Sequence, residues 1–309
     1  MKATAAAHAN IALVKYWGKR DDALVLPEAG SLSVALDKLL TTTTVALGES
    51  DADSFTLDGR PEDPRRARAL LDAAGIRQRA RIDSRNEFPT AAGLASSASG
   101  FAALAVAACA AAGLRKSPEE LSALARLGSG SAARSVPGGW AVWERESARQ
   151  AFPPSHWDLR FCIAICAAGA KPIGSRDGMR ATRETSPYHA AWIEQCRRDL
   201  PAAIHLLKAR NLSGLGALAE RNALRMHADA LAADPPILYW QPVTVACLLA
   251  LRELRASGLE AWATIDAGPH VVAISSLADA AAVEARLRGV PGVADVLVCA
   301  PAGPARVVS

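Results

Sequence analysis

The sequence predicts an α+β fold in two domains. Three observations carry this. The first third reads as a series of strands, yet it feeds an alanine-rich stretch, 97–112, that reads as a helix and must pack on their sheet. Residues 145–158 then bring a proline pair and mixed charge, the composition of a boundary. Beyond them the order is strand, helices, strand–strand–helix–strand, which suits an antiparallel sheet with helices on one face. The expected domains are 1–155 and 156–309.

Residues 2–17 alternate as a strand, with Ala12, Val14 and Tyr16 on one face and Leu13, Lys15 and Trp17 on the other. Leu24 to Gly30 is a turn, and 31–37 and 41–47 follow as two strands. Asp58-Gly59 is a hairpin turn, Pro64 to Ala74 a charged helix, and 79–85 a strand. The helix at 97–112 ends at Gly113. Ser117-Pro-Glu-Glu120 supplies an N-cap, a first-turn proline and a glutamate three after the cap, so a helix starts there and runs to Leu127. Trp140 to Glu144 is a strand.

In the second half, 158–166 is a strand. A helical stretch from Ser175 to about 210 is expected to break at Ser186-Pro187 and again near Pro201. Helices at 213–231 and 243–256, a proline-stiffened turn between them, and strands at 260–266 and 270–275 joined by Ala267-Gly-Pro269 come next. A helix at 279–287 and a strand at 294–300 finish the pattern.

Half of the 309 residues are hydrophobic, enough for a sizeable core, and the formal net charge is +4. That mild, scattered positive charge fits a small anionic substrate and argues against nucleic acid. The six cysteines (109, 162, 166, 196, 247 and 299) mostly sit in apolar runs without metal-ligand spacing and read as reduced core thiols of a cytoplasmic protein. The opening residues lack the succession of a signal peptide, and no uncharged apolar stretch nears the roughly 20 residues that span a bilayer, so no membrane partner is expected. His156, His189 and His205 read as surface or helix residues, and His227 as a group that could brace a site.

Four stretches point to chemistry. Pro89 to Gly100 is built of small residues and opens onto the helix at 97–112. Free backbone N–H groups and the helix dipole favour an anion there, and Ser96, Ser97 and Ser99 add hydroxyls for phosphate oxygens or Mg²⁺. No Gly-Lys-Ser/Thr follows, so this is not a Walker loop. The run also reads as a tightly packed small-residue helix. His8 to Lys19 carries Lys15 and Lys19 at its apolar end, either a cationic pair on one face or two solvated lysines. Gly128 to Gly139 places Ser129 between glycines, a possible second anion nest, with Arg134 about one turn on; a flexible loop with a surface arginine reads equally from it. Asp266 ends a strand at a Gly-Pro turn and reads either as a turn cap or as the group that takes a proton from a hydroxyl attacking ATP. A nearby cation such as Lys15 would keep it ionised.

Pro89-Thr-Ala-Ala-Gly-Leu-Ala-Ser-Ser-Ala98 resembles the ATP-binding loop of the GHMP kinase superfamily, and more closely that of the mevalonate diphosphate decarboxylases. The resemblance extends to His8–Lys19, Ser31-Leu-Ser-Val34, Gly128–Gly139 and Ser175–Met179. Asn222–Ala228 with Pro235–Trp240 and Thr264–Pro269 complete it, so that it covers nearly the whole chain. It implies a GHMP-kinase-like fold, with a ribosomal-protein-S5-like N-terminal domain, a ferredoxin-like C-terminal α/β sandwich and the active site in the cleft between them. It also implies ATP-dependent decarboxylation of 5-diphosphomevalonate to isopentenyl diphosphate, ADP, phosphate and CO₂ through a 3-phosphorylated intermediate, by a homodimer using ATP and Mg²⁺.

By matching positions, the resemblance gives catalysis to Asp266, Lys15 and Arg134. Substrate binding falls to Tyr16, Lys19, Ser129, Gly130, Ser131, Arg176 and Met179, nucleotide binding to Ala92, Gly93, Leu94, Ala95, Ser96 and Ser97, and a Mg²⁺ contact to Ser97. The chain departs from the family pattern at Ala29, usually Asn, at His270, usually Asn, and at Ala133, often Cys or another small residue. These leave room for a same-fold decarboxylase of phosphomevalonate or 3,5-bisphosphomevalonate, a mevalonate 3-kinase, or a non-catalytic sensor.

Overall fold

The computed structural model describes residues 1–88, 96–166 and 173–309. The nucleotide-loop residues Ala92, Gly93, Leu94 and Ala95 therefore lie outside the described residues. The first sheet contains β1 (Lys2–Val14), β4 (Ser31–Leu47), β5 (Ser54–Leu57), β6 (Arg60–Glu62), β7 (Ala80–Asn86), β8 (Trp140–Trp143), β9 (Ala148–Phe152) and β14 (Arg306–Val307). A small hairpin, β2 (Lys19–Asp21) with β3 (Leu26–Pro27), projects from it. The second sheet, in the order β11-β12-β10-β13, is antiparallel and uses β10 (Leu159–Ile165), β11 (Ala261–Thr264), β12 (Val271–Ser276) and β13 (Asp295–Cys299).

The helices are α1 (Arg65–Ala73), α2 (Ser96–Ala111), α3 (Pro118–Gly128) and the single turn α4 (Ala132–Ser135), then α5 (Ser175–Thr185), α6 (His189–Lys208), α7 (Leu212–Leu231), α8 (Pro242–Ala256) and α9 (Ala280–Arg288). Helix α2 has no polar face, and twelve of its sixteen residues are buried, as an all-round apolar helix must be. Alanines 3, 5 and 7 of β1 let it lie close on the sheet, while Leu70 and Leu71 of α1 and Leu124 of α3 join the same core cluster. A second core lies between the two sheets, where Leu13, Leu32 and Trp140 meet Phe161, Ile163 and Ile274, closed by Leu200 and Leu207 of α6 and Leu215 and Leu218 of α7. The Ser117–Glu120 capping box forms as the sequence predicts, and Asp58-Gly59 turns the β5–β6 hairpin with both residues at positive φ.

Several expectations are corrected. The two strands at 31–37 and 41–47 are one strand, β4, because exposed Asp37 and Lys38 sit at a pairing irregularity rather than a turn. Pro201 does not break α6, since it lies on the exposed side of a helix whose other face is buried. Strand β9, the turn α4 and the terminal strand β14 went unread. Strand β14 brings the end of the chain back beside β1, and Asp37 holds it there by exchanging hydrogen bonds with Ala300, at 2.9 Å through Oδ1 and 3.0 Å through its own N–H. All six cysteines are free and buried. Among the described residues, no helix is long and apolar enough to cross a membrane.

His189 opens α6, the helix reading of the two expected for it, and it is buried rather than exposed. Its Nδ1 lies 2.8 Å from Asp229 Oδ2 on α7, and its Nε2 lies 3.2 Å from Glu28 Oε2 in the turn after β3. Burial alone would lower its pKa; the hydrogen bonds and charges of Asp229 and Glu28 together outweigh burial and raise it. A raised folded pKa gives stability that is complete below the unfolded value, about 6.5, and fades as pH rises through the folded value. His189→Gln should therefore lower the melting temperature more at pH 6 than at pH 9, by thermal denaturation of both proteins at both pH values. A gap that stays constant with pH would show that the imidazolium contributes nothing.

Candidate active site

One cavity of about 550 Å³ is lined from both sheets. Asn10 and Ala12 come from β1, and Lys15, Tyr16 and Trp17 from the segment after it. Ser96 and Ser97 come from the start of α2, Ser129 to Arg134 from the α3–α4 turn, Arg176 to Met179 from the start of α5, and Asp266 from the turn after β11. Every described residue that the resemblance assigned to the site lies in this lining: Asp266, Lys15, Arg134, Tyr16, Lys19, Ser129, Gly130, Ser131, Arg176, Met179, Ser96 and Ser97.

Lys15 follows directly on the buried strand β1. Its Nζ donates to Asp266 Oδ1 at 2.5 Å and to the Ala12 carbonyl at 2.8 Å. The lysine side chain is 1% exposed and the carboxylate 35% exposed, so the aspartate is the member that faces the cavity. Burial lowers the Lys15 pKa, and the charge and hydrogen bond of Asp266 oppose it. The turn that carries Asp266 is tied down through backbone groups: its carbonyl accepts from Gly268 N–H at 2.7 Å and lies 3.2 Å from His227 Nε2.

Arg134 sits on α4, fully buried. Its Nε donates to Asn10 Oδ1 at 3.2 Å and its Nη1 to Ser31 Oγ at 2.7 Å, and its guanidinium lies 5.9 Å from the Trp143 ring centroid. Burial lowers its pKa to about 10. Among the described residues no carboxylate comes within ion-pair distance of it, which leaves guanidinium donors for an anion that enters the cavity.

The start of α2 and the α3–α4 turn meet. Ser97 Oγ lies 3.2 Å from Ser129 Oγ, which lies 3.3 Å from Ser131 Oγ. Gly130 is required between them, because a Cβ there would come within 2.6 Å of Tyr16 Oη. That buried hydroxyl has no hydrogen-bond partner among the described residues, and burial raises its pKa. Lys15 and Lys19 reach the same cavity by different routes, since the chain turns at Gly18 with φ 139°. Lys19 pairs with Asp22 at 2.9 Å, and Arg183 holds Asp22 from the other side at 3.1 Å.

Sequence reading missed Asn10, Arg66 and Asn222. Arg66 of α1 stacks 4.7 Å over Phe101, donates to the Gly128 carbonyl and lines the cavity. Nothing in the arginine-rich run 65–68 singles it out. Asn10 lay inside a quoted motif, and only its contacts with Arg134 and Ser131 show its part. The departures from the family pattern are accommodated: His270 Nδ1 accepts from Cys166 N–H at 3.0 Å, a backbone tie, and Ala29 packs against the cluster of Trp17 and Trp192.

The lining therefore carries Lys15, Lys19, Arg66, Arg134 and Arg176 against Asp177 and Asp266. A cationic cavity with clustered serine hydroxyls beside a helix N-terminus, and with one carboxylate held by a buried lysine, suits phosphoryl transfer, the chemistry of the GHMP kinase class that the sequence resembles.

Known proteins narrow the class. Residues 7–152 match the diphosphomevalonate decarboxylase-like N-terminal domain, and residues 161–293 match the mevalonate 5-diphosphate decarboxylase C-terminal domain. The chain belongs to the diphosphomevalonate decarboxylase family. It is 38% identical over 306 residues to the diphosphomevalonate decarboxylase of Aspergillus fumigatus, spanning 88% of this chain and 76% of that one, and 36% identical to the human enzyme over 87% and 75%. The solved mevalonate diphosphate decarboxylase of Staphylococcus aureus superposes with a TM-score of 0.94 at 34% identity, covering 100% of this chain and 98% of that one. The enzyme from Enterococcus faecalis gives 0.92 at 34%, covering 100% and 99%. A further structure, MDDEF in complex with MVAPP, AMPPCP and magnesium, gives 0.93 at 35%, covering 100% and 99%.

Proposed function

We propose that this chain decarboxylates mevalonate 5-diphosphate at the expense of ATP, and that the roles divide as follows. The observation that carries the reading is the convergence on one cavity of the Lys15–Asp266 pair and the buried Arg134, which has no carboxylate at ion-pair distance among the described residues. Residues 1–155 form the nucleotide- and phosphate-binding domain and 156–309 the domain that supplies Arg176 and Asp266; passage of the chain between sheets from β9 to β10 supports that division.

The donors present suit polyphosphate, because Ser96, Ser97, Ser129 and Arg66 all line the cavity. ATP with Mg²⁺ supplies the phosphoryl group that makes the substrate's tertiary hydroxyl a leaving group. When bound with ATP, Mg²⁺ would be held by phosphate oxygens and a hydroxyl such as that of Ser97, which lines the cavity. Asp266 accepts the proton of the 3-hydroxyl, and Lys15 keeps the carboxylate ionised. Arg134 holds the substrate carboxylate so that its electrons enter C3 as phosphate departs and CO₂ is lost. Tyr16, Lys19, Ser129, Gly130, Ser131 and Arg176 hold the diphosphate, and Met179 walls it. The protein works in the cytoplasm as a homodimer; sedimentation at micromolar concentration should give twice the chain mass.

The test is turnover with Mg²⁺-ATP of mevalonate, 5-phosphomevalonate, 3,5-bisphosphomevalonate and 5-diphosphomevalonate, following ADP, phosphate and CO₂ together. Equal release of all three from the diphosphate alone is expected. ADP without CO₂ would make the chain a kinase, and CO₂ from a monophosphate or bisphosphate alone would overturn the substrate. Arg176→Ala should weaken diphosphate binding by about tenfold or more and monophosphate binding far less, by calorimetry; equal losses would remove Arg176 from the diphosphate site.

A further inference from the structure

Lys15 and Asp266 come from different sheets, and no strand pairing joins the segments that carry them. Helix α7 touches the backbone of both. Asn222, fully buried, accepts the Lys15 backbone N–H through Oδ1 at 2.8 Å. Its amide orientation is fixed from behind: Nδ2 donates to Asp199 Oδ2 on α6 at 2.8 Å, and a carboxylate there can only accept. Five residues on, His227 lies with Nε2 3.2 Å from the Asp266 carbonyl oxygen. A carbonyl accepts, so Nε2 carries the proton. The ring is fixed against Tyr239 and Trp240, at centroid distances of 6.1 and 5.1 Å. Burial, helped by the Lys15 charge, lowers the His227 pKa to about 4, which keeps the ring neutral.

From these contacts we propose that α7 is the positioning element of the reacting pair. Asn222 fixes the backbone at Lys15, His227 fixes it at Asp266, and together they set where the carboxylate meets the substrate hydroxyl. Neither side chain lines the cavity, so both act through the pair and not on the substrate. The inference rests on the reaction assigned above for its kinetic readout.

Misplacement by about 1 Å costs roughly a hundredfold in rate, so His227→Leu and Asn222→Ala should each lower kcat about 10- to 100-fold and leave the Kd for mevalonate 5-diphosphate within threefold. His227→Gln, which keeps a donor, should recover most of the rate. Because both residues hold one pair, the double variant should be little worse than the poorer single. Additive losses, failure of glutamine to recover rate, or a Kd that rises in step with the fall in kcat would overturn the proposal. The unmodified protein offers a measurement that no folding defect can spoil: ¹⁵N-resolved spectra should show His227 neutral at pH 7 with its proton on Nε2, and the other tautomer or an imidazolium would overturn it. That readout needs no turnover, so its failure is distinct from failure of the assigned reaction.

Discussion

Asp266→Asn should lower kcat at least a thousandfold while the Kd for mevalonate 5-diphosphate stays within about threefold. Asparagine keeps the size of the side chain and its place at the turn, but it cannot take a proton. General-base contributions of about 10² to 10⁴ are ordinary, and on the proposed mechanism the same group would also meet charge developing near C3. The variant leaves Lys15 buried at 1% exposure without its counter-ion. Breaking a buried pair costs about 3–5 kcal/mol. Asp266 is 35% exposed, so screening reduces the expected loss to about 1–3 kcal/mol. The Lys15 pKa, already lowered by burial, should fall further in the variant.

Lys15→Met combined with Asp266→Asn separates the two effects. The double variant should regain most of the lost stability and none of the lost rate, and its kcat should be no lower than that of Asp266→Asn. Quenched-flow ADP formation and denaturant titration check both sides. A kcat within tenfold of the parent would remove Asp266 from the proton-accepting role.

The fold and the site were legible to different depths for physical reasons. Helix α2 was legible because eight of its sixteen residues are alanine, the strongest helix former, and the α3 cap because its box is a local hydrogen-bond pattern that needs no distant partner. Strand β14 was illegible because its only reason to be a strand is β1, some three hundred residues away. Lys15, Arg134 and Asp266 were each ambiguous alone, as a solvated lysine, a surface arginine and a turn cap. Their reading changed only when several motifs were taken together, and their contact across two sheets is tertiary information. His189 was legible as a helix residue but not as a buried one, for the complementary reason. On a helix it looks like any surface residue, and only the contacts with Glu28, 161 positions away, and Asp229 hold it in the interior and raise its pKa.

Arg134→Met should abolish turnover and yet leave the melting temperature within about 3 °C, which is within about 1 kcal/mol for a domain of this size. The two halves of that expectation have one cause. A guanidinium that is fully buried with no carboxylate at ion-pair distance among the described residues is a burden on the unliganded protein. Its hydrogen bonds to Asn10 and Ser31 offset part of the desolvation, and an apolar chain of similar length trades those bonds against the removal of the charge. Catalysis has no such compensation. Methionine cannot hold the substrate carboxylate, and Arg134→Lys keeps charge but loses the paired donors, so kcat/KM should fall by at least about a thousandfold, or about 4 kcal/mol, in both. A purely structural arginine would behave in the opposite way, with the lysine variant nearly active and the methionine variant destabilised by about 3–5 kcal/mol. Melting curves and kcat/KM on the same two variants therefore decide whether Arg134 is kept for the fold or for the carboxylate that decarboxylation releases.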